Sequence, residues 1–200
     1  RLRSAIQVAK AASFPRENIE RAIKKSADKS MGMFEEIRYE GFGPAGTSII
    51  VEALTDNRNR SAADVRAIFQ KNGGNFAESG SVSHQFTRYG FLRYPISICT
   101  QDEFFASAIE SGAEDCLFED DFFEALCSTD NLSIFYSSLE TIFGEPESSG
   151  FLWKPSNLIE VTGEEIKTLF NLLDELDDNE DVQTVFSNYD VSEEDISSLA

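Results

Sequence analysis

Residues 122–127 read FFEALC and residues 130–143 read DNLSIFYSSLETIF, which is a strand pattern followed directly by a helix pattern. Four large apolar side chains recur in the second stretch at helical spacing: Leu132, Phe135, Leu139 and Ile142. The flanking residues continue the alternation, with strands predicted at 91–98, 114–119 and 149–154 and a helix at 101–111. The order strand, helix, strand, strand, helix, strand predicts a ferredoxin-like sandwich with both helices on one face of the sheet.

A second set of patterns in the same order surrounds the first. When residues 91–154 are set aside, the remaining patterns lie at 47–54, 61–72, 81–87, 158–161, 163–176 and 182–187. Capping residues at Ser61-Ala62-Ala63-Asp64, and at Thr162 with Glu165, predict where the two helices of this outer set begin. We therefore predict an α+β protein in which one ferredoxin-like βαββαβ unit is inserted into another.

An N-terminal helical head is predicted ahead of these units. Apolar residues at helical spacing mark one short helix near Leu2 and Ile6, and a second helix after Pro15. The predicted domains are a helical domain at 1–33, a discontinuous ferredoxin-like domain at 34–90 plus 155–200, and an inserted acidic ferredoxin-like domain at 91–154.

Charge is distributed unevenly along the chain, whose formal net charge is −19. Residues 1–93 carry fifteen basic and ten acidic side chains, whereas residues 94–200 carry two and twenty-six. Screening over about 8 Å at physiological ionic strength lets the local field govern contact with a phosphate backbone. The basic N-terminal portion, in which residues 1–29 hold eight basic and three acidic groups, is thus the predicted contact surface. The alternative is that these cations only solvate two small helices.

The segment Asp56-Asn57-Arg58-Asn59-Arg60 places arginine between a strand end and a helix N-terminus, where the helix dipole disfavours cations. This local conflict indicates a recruited anion, held by free N–H groups and two guanidinium groups. The alternative is that Asp56 and Asp64 neutralise Arg58 and Arg60 as structural ion pairs. We expect nucleic-acid contacts at ten residues: Arg1, Arg3, Lys10, Arg16, Arg21, Lys24, Lys25, Arg58, Arg60 and Arg66.

The hexapeptide Gly41-Phe42-Gly43-Pro44-Ala45-Gly46 satisfies the G-x-G-x-x-G spacing of dinucleotide-binding loops. That motif needs a helix N-terminus immediately after it, where free N–H groups hold the pyrophosphate. The residues that follow, Thr47–Val51, have a strand pattern, so a hairpin turn is favoured over a cofactor loop.

Residue types used in catalysis and metal binding are sparse. His84 is the only histidine and is placed in a predicted strand, where a structural or surface role is favoured. Acidic residues at 177–181 lack the ligand spacing of a calcium loop and favour a solvated turn. Cys99, Cys116 and Cys127 form an odd set typical of reduced, partly buried thiols in a cytosolic protein. We expect no cofactor, no metal and no enzymatic activity.

Short segments spread from residue 1 to about 190 form a recognisable set. They are RLRSAI at 1–6, NIERAIKK at 18–25, YEGFGP at 39–44, TDNRNR at 55–60 with DVR at 64–66, GG at 73–74, GSV at 80–82 and DVQ at 181–183. With these segments the chain resembles the YebC/PmpR family of transcriptional regulators, whose mitochondrial relatives are translational activators of cytochrome c oxidase. Residues 92–150 match that family in pattern only.

The resemblance implies a non-catalytic protein of three domains, located in the cytoplasm or, for a eukaryotic relative, in the mitochondrial matrix. Some members act in DNA-binding transcription control and others in ribosome-associated translation. The resemblance also implies that a stretch rich in lysine and arginine precedes Arg1.

Nucleic acid is therefore the expected partner, as DNA or, in the alternative, as ribosomal RNA. No helix-turn-helix reader, zinc finger or RNP aromatic signature is evident. A third hypothesis is a protein-interaction adaptor, whose acidic domain docks ribosomal or transcription-machinery proteins. No apolar run approaches the roughly 20 residues of a membrane span, so no membrane partner is expected.

Overall fold

The computed structural model describes residues 34–192 and Asp195, so the predicted helical domain at 1–33 lies outside the described residues. The described part is a mixed α/β protein with two four-stranded antiparallel sheets. In chain order its helices and strands are β1 Glu35–Phe42, β2 Ser48–Thr55, α1 Arg58–Lys71, β3 Asn75–Ala77, β4 Phe86–Pro95, α2 Gln101–Glu110, β5 Asp115–Phe118, β6 Phe122–Ser128, α3 Leu132–Phe143, β7 Ser148–Pro155, β8 Ile159–Glu160, α4 Glu164–Asp177, β9 Val182–Ser187 and β10 Tyr189–Asp190.

The inner sheet has the strand order β5-β6-β4-β7. The order of strands and helices predicted for residues 91–154 is confirmed, although the first strand begins at Phe86 and ends at Pro95. Helices α2 and α3 share one apolar core with this sheet, in which Phe104 and Leu139 pack with Leu92 and Ala125. Since Leu92 and Ala125 are directly paired across β4 and β6, both helices cover the same face.

The outer sheet has the order β3-β1-β2-β9, and its core lies against α1 and α4. Two strands predicted for this sheet are wrong. In the segment 81–87, Ser83–Gln85 form a 3-10 turn and the last two residues already belong to β4 of the inner sheet. Residues 159–160 pair in parallel with β10. Their places in the sheet are taken by β1 and by the short strand β3, which pairs with the end of β1.

Glu40 explains why residues 81–87 are not a strand of the outer sheet. Its side chain is fully buried, and one carboxylate oxygen accepts hydrogen bonds from the backbone N–H groups of Val82 at 2.8 Å and Ser83 at 3.0 Å. Because a side chain satisfies these N–H groups, the segment needs no neighbouring strand to pair with.

The predicted caps of both helices of the outer unit are wrong, although α4 begins within one residue of the predicted position 163. Helix α4 begins after Gly163, whose φ of 64° favours glycine, and it has no side-chain cap. Glu165 instead accepts a hydrogen bond from the backbone N–H of Ala45 at 3.2 Å, which ties α4 to the turn between β1 and β2. Helix α1 begins at Arg58, three residues before the predicted Ser61.

The two units meet along β2, because its alternating side chains face in opposite directions. Ile49 and Val51 belong to the core beneath α1 and α4, whereas Ile50 packs with Val82 and Phe86 at the start of the inner unit. The chain passes from the outer sheet to the inner sheet and returns through two paired strands. Phe86 lies opposite Pro155, and the N–H of Ser156 donates to the carbonyl of Gln85 at 2.8 Å.

Candidate nucleic-acid interface

The N-terminus of α1 is set by Asn57, not by Ser61. The Asn57 side chain accepts a hydrogen bond from the backbone N–H of Arg60 at 3.2 Å, as expected of a residue that caps a helix. Ser61 is fully buried within the helix. The Tyr39 hydroxyl donates to the carbonyl of Arg58 at 3.3 Å, so β1 supports the same turn. Arg58 and Arg60 therefore lie inside the first turn of α1 and not ahead of it.

Arg60 forms ion pairs, as the alternative interpretation of this segment expected, but with a different set of carboxylates. One guanidinium nitrogen lies 2.9 Å from Asp56 and 3.1 Å from both carboxylate oxygens of Asp181. Asp181 also accepts a hydrogen bond from the Thr55 hydroxyl at 3.0 Å. Asp64 takes no part in these pairs. Arg60 thus joins the start of α1 to the turn that precedes β9.

We expect Arg60→Gln to unfold at a lower temperature than the wild-type chain, because Asp181 loses its cationic partner. Raising the salt concentration narrows this difference, since the pair is exposed and screened. Thermal melts at low and high salt measure the effect. Arg58→Gln is the matched control, and an equal melting temperature for Arg60→Gln would contradict a structural role for the pair.

A cleft of about 670 Å³ lies beside Arg60, and its lining is acidic. Among the described residues that line it, Arg60 is the one cation, and it is set against four carboxylates: Asp56, Asp64, Glu180 and Asp181. Such a balance repels a phosphate, so the geometry does not favour the recruited anion that the sequence suggested at this point.

Arg58 and Arg66 have a different setting on the outer face of α1. Both side chains are exposed, and within residues 34–192 neither forms an ion pair. The Arg66 guanidinium lies 4.9 Å from the ring centroid of Phe76, which positions it without neutralising its charge. Helix α1 carries four basic side chains and one acidic one, whereas α4 carries one and five. The structure therefore brings three predicted contact residues onto one cationic helix. Two of them, Arg58 and Arg66, form no ion pair with any residue of 34–192.

The other seven predicted contact residues lie outside the described part of the chain. They are Arg1, Arg3, Lys10, Arg16, Arg21, Lys24 and Lys25. Their contribution remains a prediction from the sequence.

The glycine-rich hexapeptide is a hairpin turn, which confirms the interpretation favoured from the sequence. Residues 44–46 form a 3-10 turn, and β1 and β2 pair in register on either side of it, up to Phe42 and Ser48. Gly41 is required for packing, because a Cβ atom there would lie 2.5 Å from the Phe69 ring. The next element is a strand, so this turn offers no helix N-terminus for a pyrophosphate.

The thiols and the histidine are not arranged as nucleophile and base. Burial raises the pKa of the Cys116 and Cys127 thiols to about 11, so both stay protonated at neutral pH. His84 is exposed and lies in the 3-10 turn before β4, not in a strand as predicted. None of the described helices is both long and apolar enough to cross a membrane.

A cation–aromatic cluster at the junction of the two units was missed by sequence reasoning. Trp153 donates a hydrogen bond from its indole nitrogen to Glu52 at 3.0 Å. The guanidinium groups of Arg38 and Arg88 lie 4.8 Å and 5.7 Å from its ring. Arg88 also lies 3.5 Å from Glu52. The four residues are far apart in sequence, so no local pattern signals that they meet.

Comparison with known proteins shows which family the chain belongs to. The sequence profile described as the second and third domain of TACO1/YebC matches residues 34–189. A "Probable transcriptional regulatory protein" of Maricaulis maris (strain MCS10) is 46% identical over 205 residues, covering 100% of this chain and 81% of that protein. The crystal structure of a conserved hypothetical protein from Aquifex aeolicus is 37% identical, with a TM-score of 0.84 over 96% of this chain and 79% of that one. The chain therefore belongs to the YebC family.

Proposed function

We propose that this protein is a non-enzymatic, DNA-binding regulator of transcription that contacts the phosphate backbone through the outer face of α1 together with the basic residues of 1–29. The observation that carries the proposal is a pair of arginines on the most cationic of the described helices, Arg58 and Arg66, which form no ion pair with any residue of 34–192. The description of the Maricaulis maris relative as a probable transcriptional regulatory protein supports a regulatory role.

The spacing of the two arginines suits a phosphate backbone. Eight residues separate Arg58 from Arg66, which is about 12 Å along a helix axis. Nucleotides of one strand rise by about 3.4 Å each along the duplex axis, so with α1 parallel to that axis the two guanidinium groups reach phosphates some three to four steps apart. Such contacts position a protein on nucleic acid without reading its sequence.

We expect the double substitution Arg58→Glu and Arg66→Glu to weaken binding to duplex DNA by about 10- to 100-fold at physiological salt. Each lost phosphate contact also reduces the slope of log affinity against log salt by about one. Fluorescence anisotropy at several salt concentrations measures both quantities.

Lys167→Glu is the matched control, because it reverses an exposed cation on the acidic helix α4. Unchanged affinity in the double variant would contradict α1 as a contact surface. The same titration with charge reversals at Arg21, Lys24 and Lys25 tests the N-terminal residues separately, and unchanged binding there would remove them from the interface.

RNA within the ribosome is the second candidate, because the α1 surface suits the RNA backbone as well as that of DNA. Two small side chains are exposed here, Ala63 between the two arginines and Ala67 directly after Arg66, so this part of the surface is shallow. A shallow cationic surface contacts phosphates of either nucleic acid without entering a major groove. The titration is therefore run in parallel with duplex DNA and with ribosomes, and the tighter interaction identifies the partner.

We further infer that residues 91–154, extended to the strand ends at Phe86 and Pro155, form a ferredoxin-like domain inserted into a discontinuous one at 34–90 plus 155–200. The strand order β5-β6-β4-β7, with α2 and α3 on one face, supports the ferredoxin-like assignment of the insert. The separate cores of the two sheets support the division.

A further inference from the structure

The two helices of the inner unit expose apolar side chains that the core does not use. Phe105 and Ile109 on α2 are 49% and 45% exposed, and Ile134 and Ile142 on α3 are 73% and 52% exposed. We call these four residues the α2/α3 outer face. The opposite sides of the same helices are already filled by core residues such as Phe104 and Leu139, which are fully buried.

The outer face lies on one continuous surface, because the two helices are neighbours. The Ser138 hydroxyl, halfway between Ile134 and Ile142 at helical spacing, donates to the Ser111 hydroxyl just after α2 at 3.0 Å. At the other end of α2, the rings of Phe104 and Phe143 stack with centroids 5.6 Å apart. Clustered exposed apolar residues of this kind typically mark an interaction surface.

The segment of chain that carries this surface has charges of one sign only. No Lys, Arg or His occurs anywhere between Arg93 and Lys154, whereas thirteen Asp and Glu residues occur in that interval. Helices α2 and α3 themselves carry only carboxylates among their charged groups. Glu110 and Glu140 are exposed beside the apolar residues on the two helices.

We propose that the α2/α3 outer face binds a cationic amphipathic segment of another protein, whose apolar side chains pack on Phe105, Ile109, Ile134 and Ile142 while its Lys and Arg meet the surrounding carboxylates. An apolar surface bordered by charges of the opposite sign is a common way of recognising an amphipathic helix. This inference does not depend on nucleic-acid binding by α1.

The charge pattern favours a cationic amphipathic segment over a second copy of this chain, a nucleic acid or an anionic lipid surface. A second copy of the same face would bring carboxylates against carboxylates, which is repulsive. Nucleic acid and an anionic lipid surface are repelled for the same reason. A segment with apolar residues at helical spacing and Lys or Arg at its other positions complements both the apolar side chains and the carboxylates of the α2/α3 outer face.

The test uses the full chain and a synthetic peptide with Leu at i, i+3, i+4 and i+7 and Lys or Arg at its other positions. We expect Ile134→Ser with Ile142→Ser to weaken peptide binding by about tenfold at every salt concentration, because it removes apolar contact only. Glu110→Lys with Glu140→Lys is expected to weaken binding by a similar factor and to flatten its salt dependence. Fluorescence anisotropy measures both.

Leu158→Ser is the matched control, because Leu158 is 60% exposed but lies outside the two helices. Its binding is expected to equal that of the wild type. A peptide with the same charges and no Leu is expected to bind more weakly, and equal binding would overturn the proposal in favour of charge attraction alone.

Two further results would also overturn it. One is unchanged peptide binding in the Ile134→Ser, Ile142→Ser variant. The other is a wild-type dimer that this variant dissociates, since a second copy would then cover the face. The Glu110→Lys, Glu140→Lys variant changes exposed groups only, so it remains informative if the serine variant fails to fold. The Arg58→Glu, Arg66→Glu variant is expected to keep full peptide binding, which separates this inference from the proposed function.

Discussion

Replacing Phe104 with alanine is expected to lower the free energy of unfolding of the inner unit by about 3–5 kcal/mol. Phe104 is fully buried on α2, and its ring lies within 5.1–5.8 Å of the rings of Tyr94, Phe123 and Phe143. Removing it leaves a cavity among rigid aromatic side chains of β4, β6 and α3. These side chains cannot collapse readily to fill the cavity.

Urea denaturation followed by far-UV circular dichroism measures this loss. Phe105→Ala is the matched control, because Phe105 is the next residue of the same helix and is half exposed. A loss as small as that of the control would contradict a central role for Phe104. If the two units are separate domains, Phe104→Ala shifts an early transition of the inner unit, while the transition of the core around Phe69 stays in place.

Replacing Glu40 with glutamine is expected to lower the free energy of unfolding by about 2–3 kcal/mol at neutral pH. The carboxylate holds the loop between β3 and β4 through the N–H groups of Val82 and Ser83, and its other oxygen lies 3.6 Å from the guanidinium of Arg38. Glutamine keeps the shape, but it removes the charge and turns one acceptor into a donor. Buried hydrogen bonds to a charged group are stronger than neutral ones.

The effect of this substitution depends on pH in a definite direction. Burial alone would raise the pKa of the Glu40 carboxyl, but the backbone N–H groups of Val82, Gly80 and Ser83 lower it below its ordinary value. The stabilisation is therefore complete above the unfolded-state pKa and is lost as the pH falls through the folded-state pKa. The difference between the wild type and Glu40→Gln is widest at neutral pH and closes below the ordinary value of 4.5.

Denaturation curves across this pH range test the prediction. Glu35→Gln serves as the control, since Glu35 is exposed on the same strand. A Glu40→Gln difference that stays constant between neutral and acidic pH would show that the carboxylate charge contributes nothing to the loop.

The inner unit could be predicted from sequence because its periodicity is strong and local. Apolar residues on α2 and α3 recur at helical spacing, and each strand between them pairs with a neighbour inside the same unit. Residues 81–87 misled the prediction because a carboxylate some forty residues earlier in the chain takes up their N–H groups. The start of α1 is predicted at Ser61 because Ser61 and Asp64 have the spacing of a capping box, but the structure shows that Asn57 is the cap.

The sequence predicts which residues form the candidate site, but it does not predict which carboxylates pair with them. The sequence places Arg58 and Arg60 beside a helix start, yet their environments differ because of Asp181, which lies 121 residues after Arg60. Stacking of Arg66 on Phe76 has a similar origin, since β3 was not predicted. Long-range contacts of this kind leave no local periodicity.

Phe86 lies opposite Pro155 where the chain enters and leaves the inner sheet, so the segment from β4 to β7 corresponds to one very long connection between β3 and β8. Opposed residues of an antiparallel pair lie only about 5 Å apart, so a tight two-residue reverse turn suffices to rejoin the chain there. The segment from β4 to β7 can therefore be replaced by another domain during evolution without changing the strand order of the outer sheet. For the same reason, a reporter protein whose own ends lie close together can be grafted at that position.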